Sequence, residues 1–175
     1  LLAAGQEGAL DVWSAGCSTG EEAYGLSIVL HERGLLPGRR VRILGTDLSP
    51  SHVRRARAAV YGARALRAAA AERRRDHFEA AEGGLFRLKP HLAAPVLFES
   101  RSLLDEPAAG PTFDVILCRN VLIYLDEGAR ARAVEILASR LKAGGYLLLG
   151  ASDALAAASS SLTLVRLSND VAYRR

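Results

Sequence analysis

The sequence predicts an α/β protein in which a mostly parallel sheet is covered by helices on both faces. Three observations carry that reading. Short, nearly continuous apolar runs alternate with longer helix-like stretches, and such runs mark strands buried on both faces, as in parallel sheets. The first run passes through a small-residue turn, Ala15-Gly16-Cys17-Ser18-Thr19-Gly20, directly into a helical repeat. The second ends on an acid, Asp47.

Leu10 to Ala15 is the first predicted strand and Glu21 to Arg33 the first helix, with Ala23, Leu26, Ile28, Val29 and Leu30 supplying its apolar face. Gly34, Pro37 and Gly38 stop it. Val41 to Asp47 reads as a second strand, followed by a helix that Ser49 or Ser51 can cap and that runs to about Val60. An Ala- and Arg-rich helix is expected from Ala63 to Ala80. Beyond Gly83-Gly84, Leu85 to Leu88 and Val96 to Glu99 are short strand candidates beside Pro90 and Pro95. Phe113 to Cys118 is a strong buried-strand signal. Glu127 to Leu141 forms an amphipathic helix closed by Ala143-Gly144-Gly145, and Tyr146 to Gly150 starts another strand. Leu162 to Leu167 and Val171 to Tyr173 add a closing antiparallel pair, with Ala154 to Ser161 expected to loop over a sheet edge.

With 175 residues, half of them apolar, the chain suits one domain around one core. No apolar run reaches the roughly 18 to 20 residues of a membrane span, and the start lacks a basic leader with a long apolar stretch behind it. A cytoplasmic protein without membrane insertion is expected. The absence of Met, initiator included, suggests a piece of a longer chain. Cys17 and Cys118 are too few for a disulfide framework, and His31, His52, His77 and His91 show no ligand spacing, so no metal is expected. The net charge of +4 is concentrated in Arg runs at 54–57 and 73–75. These are either solvated helix faces or a surface for an acidic partner.

In an open parallel sheet, ligands sit beyond the carboxyl ends of the strands. The loops to weigh are therefore Ala15 to Glu22, Thr46 to Ser49, Ser100 to Asp105, Arg119 to Tyr124 and Gly150 to Asp153. Gly16 and Gly20 permit unusual φ values and close backbone approach, and the following helix points free N–H groups into the crevice. The spacing is not the GxGxxG of dinucleotide sites, and the carboxylates Glu21 and Glu22 at a helix start repel a pyrophosphate. A cationic ligand suits them better. The same residues also match capping boxes, Ser18 with Glu21 and Thr19 with Glu22, so either acid can cap while the other binds. Asp47 occupies the place of an acid that accepts hydrogen bonds from ribose hydroxyls, although an Asp at a strand end also caps turns. A nucleoside joined to a positive centre, without phosphate, describes S-adenosylmethionine.

Five stretches, "WSAGCSTGEEAYGLSIVL", "ILGTDLSPSHVRRARAAVY", "LFRLKPHLAAPVLFESRSLLD", "FDVILCRNVLIYLD" and "LKAGGYLLLGASDAL", resemble in order and spacing the CheR family of chemotaxis-receptor protein-glutamate methyltransferases. The resemblance covers nearly the whole chain and is most specific at CSTGEE and CRNVLIY. It implies a Rossmann-like class I methyltransferase fold with a small β-subdomain at roughly 83–98, and the absence of the family's amino-terminal helical domain. It also implies residue roles. Ala15, Gly16 and Glu21 match the first cofactor loop, with Glu21 near the methionine part, and Asp47 matches the ribose-binding acid. Ser102 and Leu103 fall where the adenine is held, Arg119 and Asn120 match the cofactor-side pair, and Tyr124 matches the aromatic near the transferable methyl. Arg119 and Tyr124 are the candidate catalytic residues, Arg119 being equally suited to bind the cofactor.

Departures from the family pattern are Ala23 and Gly25 in place of Pro and Ser, Ser102 in place of Asn, and Gly150-Ala151-Ser152-Asp153 in place of GHSE-like residues. The implied partners are chemoreceptor cytoplasmic helices and a regulatory domain on the same parent chain; a monomer that binds no nucleic acid is expected. The implied reaction forms a methyl ester on glutamate. Two other readings stand beside it: a non-catalytic S-adenosylmethionine-binding regulatory module and, from the Arg clusters alone, a nucleic-acid methyltransferase.

Overall fold

A computed structural model describes residues 8–36, 40–67, 71–105, 110–153, 161–167 and 171–175. Its elements in chain order are β1 (Leu10–Ala15), α1 (Glu21–Glu32), β2 (Val41–Asp47), α2 (Pro50–Ala58), β3 (Val60–Tyr61), α3 (Ala71–His77), β4 (Phe78–Ala81), β5 (Leu85–Leu88), α4 (Pro90–Ala93), β6 (Val96–Ser100), β7 (Phe113–Cys118), α5 (Glu127–Arg140), β8 (Leu141–Leu149), β9 (Thr163–Arg166) and β10 (Val171–Arg174). The main sheet runs β6-β2-β1-β7-β8-β10-β9. It is parallel from β6 to β8 and antiparallel at β10 and β9. The expected mostly parallel fold and its closing antiparallel pair are both present.

β1 lies mid-sheet and is buried along its length. Successive side chains of a strand point to opposite faces, and β1 divides accordingly. Leu10 and Val12 join one core cluster with Ala23 and Leu30 of α1, Val53 of α2 and Leu92 of α4. Trp13 and Ala15 join the other with Ile116, Cys118 and, from α5, Val134 and Leu137. Trp13 is 1% exposed, and its indole N–H donates to Thr46 Oγ1 at 2.9 Å, so the ring is buried without an orphaned donor. The chain moves from β1 outward through β2 to β6 and then returns to the other side of β1 at β7. That reversal opens a crevice between the β1 and β7 carboxyl ends.

Three sequence expectations need correction. Among the described residues, the helix expected over Ala63 to Ala80 is helical only at α3, and Phe78–Ala81 is strand β4, paired antiparallel with β5. Gly83 and Gly84, at φ 68° and 71°, turn the chain between them, a conformation that costs glycine little. Strands β3, β5 and β4, drawn from residues 60–88, form a separate three-stranded sheet, whereas β6, which falls within the expected unit at roughly 83–98, pairs with β2 in the main sheet. Finally, α5 ends at Arg140 and β8 already begins at Leu141. Residues 142–145 bulge, because Phe113 pairs with Leu141 and Val115 with Tyr146.

Folding gathers three histidines that sequence spacing keeps apart: the His31 ring lies 5.0 Å from His91 and 6.1 Å from His77. Among the described residues, however, no group of His, Cys, Asp and Glu suits a metal ion. His77 Nε2 instead contacts Glu32 Oε1 at 2.9 Å, and Arg73 also pairs with Glu32. Arg57 donates to the Phe98 carbonyl at 2.6 Å. Part of each Arg run thus serves the fold. The expected loop at Ala154 to Ser161 lies outside the described residues except at its end, and no helix among the described residues is long and apolar enough to cross a membrane.

Candidate active site

The carboxyl edge of β6, β2, β1 and β7 carries every site residue expected from the sequence. β1 ends on Ala15, after which Gly16 adopts φ 78°. The Gly16 and Cys17 amides both donate to the Thr46 carbonyl, at 2.8 and 2.9 Å, and so tie the first loop to the neighbouring strand. The Ser18 amide donates to Asp47 Oδ2 at 2.8 Å, and the Gly20 amide to the Cys17 carbonyl at 2.9 Å. A Cβ on Gly16 would come 2.3 Å from Val121 Cγ2, because the loop after β7 packs directly on it. Glycine is required there both for its φ and for its lack of bulk.

The expected capping boxes do not form. Gly20, at φ 91°, starts α1 without a side-chain cap. The Thr19 hydroxyl instead donates to Glu21 Oε2 at 2.6 Å, and the Ser14 hydroxyl to Glu22 Oε1 at 2.7 Å. Both acids therefore remain directed by hydroxyls at the crevice. Glu22 is the deeper of the two. Burial raises its pKa, and the Ser14 hydrogen bond and the Arg119 charge oppose that shift only in part. Arg119 Nη1 stands 3.8 Å from Glu22 Oε2, connecting the loop after β7 to α1. The same negative surroundings act on Cys17, whose thiol is pushed up to about 12, first by burial and then by Asp47, Glu22 and Glu21. The Tyr61 hydroxyl, which donates to the Thr19 carbonyl at 2.8 Å, is likewise raised by burial and by Glu21.

Asp47 fulfils the turn-capping alternative: Oδ1 accepts from the Ser49 amide at 2.9 Å and lies 3.3 Å from His52 Nδ1. A carboxylate offers about four acceptor positions. Its Oδ2, bonded to the Ser18 amide, retains capacity for a ligand hydroxyl, so the ribose alternative stays compatible with this geometry. Beside it, within the expected loop Thr46 to Ser49, Leu48 is 75% exposed, an apolar side chain the sequence did not single out because it belongs to no periodic run. On the β6 side, the Ser102 hydroxyl accepts from the Leu104 amide at 3.1 Å, and Leu103 packs against the core beneath.

Arg119 and Asn120 leave β7 in a tight turn, with Asn120 at φ 58°. Tyr124 ends the following short turn and is 82% exposed on the rim. Glu21, Glu22 and Arg119 border one cavity of about 660 Å³, walled by Tyr24, Tyr61 and Leu117. Ala15, Gly16, Asp47, Ser102, Leu103, Asn120 and Tyr124 are not among the residues lining that cavity. Asp153, in the expected loop Gly150 to Asp153 after β8 but given no site role from the sequence, is buried and accepts from the Asn120 and Ile123 amides. The sequence marks the loop Gly150 to Asp153 as one to weigh, but the hold of Asp153 on the turn after β7 is a contact 30 and more residues away that the local pattern does not encode.

The family model described as CheR methyltransferase, SAM binding domain, matches residues 1–171. The chemotaxis protein methyltransferase of Vibrio parahaemolyticus is 38% identical over 171 residues, covering 94% of this chain and 62% of that protein. The probable biofilm formation methyltransferase WspC of Pseudomonas putida is 33% identical over 168 residues, covering 95% of this chain and 39% of that protein. The chain thus spans about three-fifths of the length of the chemotaxis relative. Two solved structures share the fold: the N-methyltransferase NodS of Bradyrhizobium japonicum with S-adenosylhomocysteine (TM-score 0.57, 17% identity, 95% of this chain and 78% of that one) and the magnesium protoporphyrin IX methyltransferase of Synechocystis with S-adenosylmethionine (TM-score 0.50, 18% identity, 96% and 68%).

Proposed function

The chain belongs to the CheR methyltransferase family, and from that premise we propose that it transfers a methyl group from S-adenosylmethionine to glutamate carboxylates on the cytoplasmic helices of chemoreceptors. The observation that carries the cofactor assignment is the direction of the loop amides. Those of Gly16, Cys17, Ser18 and Gly20 all donate within the protein, whereas a phosphate cradle needs such groups turned to the ligand. Three acids, Glu21, Glu22 and Asp47, line the crevice instead, which suits a sulfonium nucleoside.

Bound there, the cofactor supplies an electrophilic methyl group on a positive sulfur. This chain's residues have the tasks of binding, aligning and excluding water. Ala15, Gly16 and Glu21 form the amino-acid side of the cofactor site, Asp47 holds the ribose, and Ser102 and Leu103 flank the base. Arg119 and Asn120 close the cofactor side after β7, and Tyr124 presents its ring toward the methyl acceptor. The acceptor glutamate is ionised at neutral pH, so the reaction needs no strong base and depends on alignment in a desolvated site.

The small β3-β5-β4 sheet is the counterpart of the family's β-subdomain within a single methyltransferase domain, and the protein works as a monomer in the cytoplasm, where the receptor helices lie. The test is transfer of labelled methyl from S-adenosylmethionine to receptor cytoplasmic fragments by the full-length protein. Base-labile label on glutamate is the expected result. Cofactor binding without any transfer would overturn the proposal.

A further inference from the structure

We propose that Asp153 is a positioning residue for methyl transfer, fixing the turn that carries Arg119, Asn120 and Tyr124 against the crevice; this rests on the methyl-transfer reading above. Asp153 is 1% exposed, and both of its carboxylate oxygens serve the backbone of that turn. Oδ2 accepts from the Asn120 amide at 2.6 Å, and Oδ1 accepts from the Ile123 amide at 3.1 Å. Those two donors bracket the start of the short helical turn Leu122–Tyr124, where N–H groups lack intrahelical partners. One side chain from the turn after β8 therefore caps a turn that follows β7, the parallel neighbour of β8.

The grip is two-point, and it acts where the chain is strained. Asn120 has φ 58°, a conformation that favours glycine and persists in other residues when surrounding contacts impose it. Gly150 completes the arrangement: a Cβ there would lie 2.8 Å from Asp153 Oδ2 and 2.9 Å from the Asn120 amide nitrogen. The Asp153 amide donates back to the Gly150 carbonyl at 2.9 Å, closing the turn that presents the carboxylate. Gly150 and Asp153 thus act together on the residue between Arg119 and Val121. Arg119, immediately before the gripped amide, reaches Glu22 across the crevice, and Tyr124 directly follows the second one. A shift of this turn by a fraction of an ångström would move both, and misplacement on that scale costs rate steeply.

Asp153→Asn is the leading test. It keeps the side-chain volume, but its NH₂ cannot accept, so one of the two amides loses its partner. Hydrogen exchange at Asn120 and Ile123 is expected to accelerate about tenfold or more while α5 amides are unaffected. In the full-length protein, kcat at saturating cofactor is expected to fall about ten- to hundredfold, with KM for the receptor fragment changing less than about threefold. Gly150→Ala, which wedges a methyl group between the same atoms, is expected to reproduce both effects and serves if Asp153→Asn does not fold. Unchanged exchange at both amides overturns the proposal. So does faster exchange accompanied by kcat and S-adenosylhomocysteine affinity within about twofold of the parent, because Asp153 is then only a structural support. A parent protein that transfers no methyl group counts against the methyl-transfer reading alone; exchange and S-adenosylhomocysteine affinity then decide the role of Asp153.

Discussion

Glu22 carries a stability cost at the carboxyl edge of the sheet. Its carboxyl is raised above the ordinary 4.5, chiefly by burial, so the folded state binds that proton more tightly than the unfolded one. It contributes stability that is complete below about 4.5 and lost as pH rises through the raised folded value. Glu22→Gln keeps an acceptor for the Ser14 hydroxyl and removes the buried charge. The variant is expected to melt above the parent at pH 8, with the difference shrinking toward pH 4, as calorimetry at the two pH values will show. It is also expected to weaken S-adenosylmethionine binding about tenfold, while S-adenosylhomocysteine, whose sulfur is uncharged, changes less than about threefold. Equal losses for both ligands would remove the sulfonium from Glu22's surroundings. Gly16 offers the steric counterpart. Gly16→Ala places a methyl 2.3 Å from Val121 Cγ2 at φ 78°, and a loss of roughly 1 to 3 kcal/mol in urea unfolding is expected.

Among the elements, the strands are held at their amino ends by charges far from the crevice. Asp11 of β1 pairs with Arg42 of β2 at 2.6 Å, and Lys142 of β8 reaches Asp11 at 3.0 Å and Asp114 of β7 at 2.8 Å. The Arg42 hydrogen bond, with Lys142 behind it, holds Asp11 below the usual 3.8. That part of the stability is present above 3.8 and lost as pH falls through the depressed value. Lys142→Ala leaves the two acids facing one another, and a loss of about 1 to 2 kcal/mol at pH 7 is expected, the partial exposure of Lys142 keeping the figure below that for a fully buried pair. Urea midpoints within error of the parent would show that Arg42 alone suffices. β1, β2 and β7 were legible in the sequence because their apolar runs end near true strand ends. β4 was not, since an Ala- and Arg-rich stretch carries no period and becomes a strand only by pairing with Leu85–Leu88. The crevice glycines and Asp47 were legible as a loop set. The hydroxyls of Ser14 and Thr19, which take the acids away from capping, depend on contacts that no local pattern encodes.

At the scale of the whole molecule, the chain carries a net charge of +4 while Glu21, Glu22 and Asp47 stand together at the carboxyl edge of the sheet. A ligand that binds only the folded chain stabilises it by an amount set by its concentration over Kd, about 2.7 kcal/mol at a hundredfold excess. For a domain of this size that corresponds to a rise in Tm of about 5 to 10 °C. S-Adenosylmethionine and S-adenosylhomocysteine are expected to produce such a rise, and NAD at equal concentration is not, because the first-loop amides are already bonded within the protein. Asp47→Ala is expected to lower the parent's own Tm, since the Ser18 and Ser49 amides lose their acceptor, and separately to weaken nucleoside affinity by about 1 to 3 kcal/mol. Calorimetric titration separates the two effects. An affinity unchanged in a destabilised Asp47→Ala protein would restrict Asp47 to joining the loops, and a dinucleotide that matched the nucleoside's thermal shift would remove the basis for methyl transfer altogether.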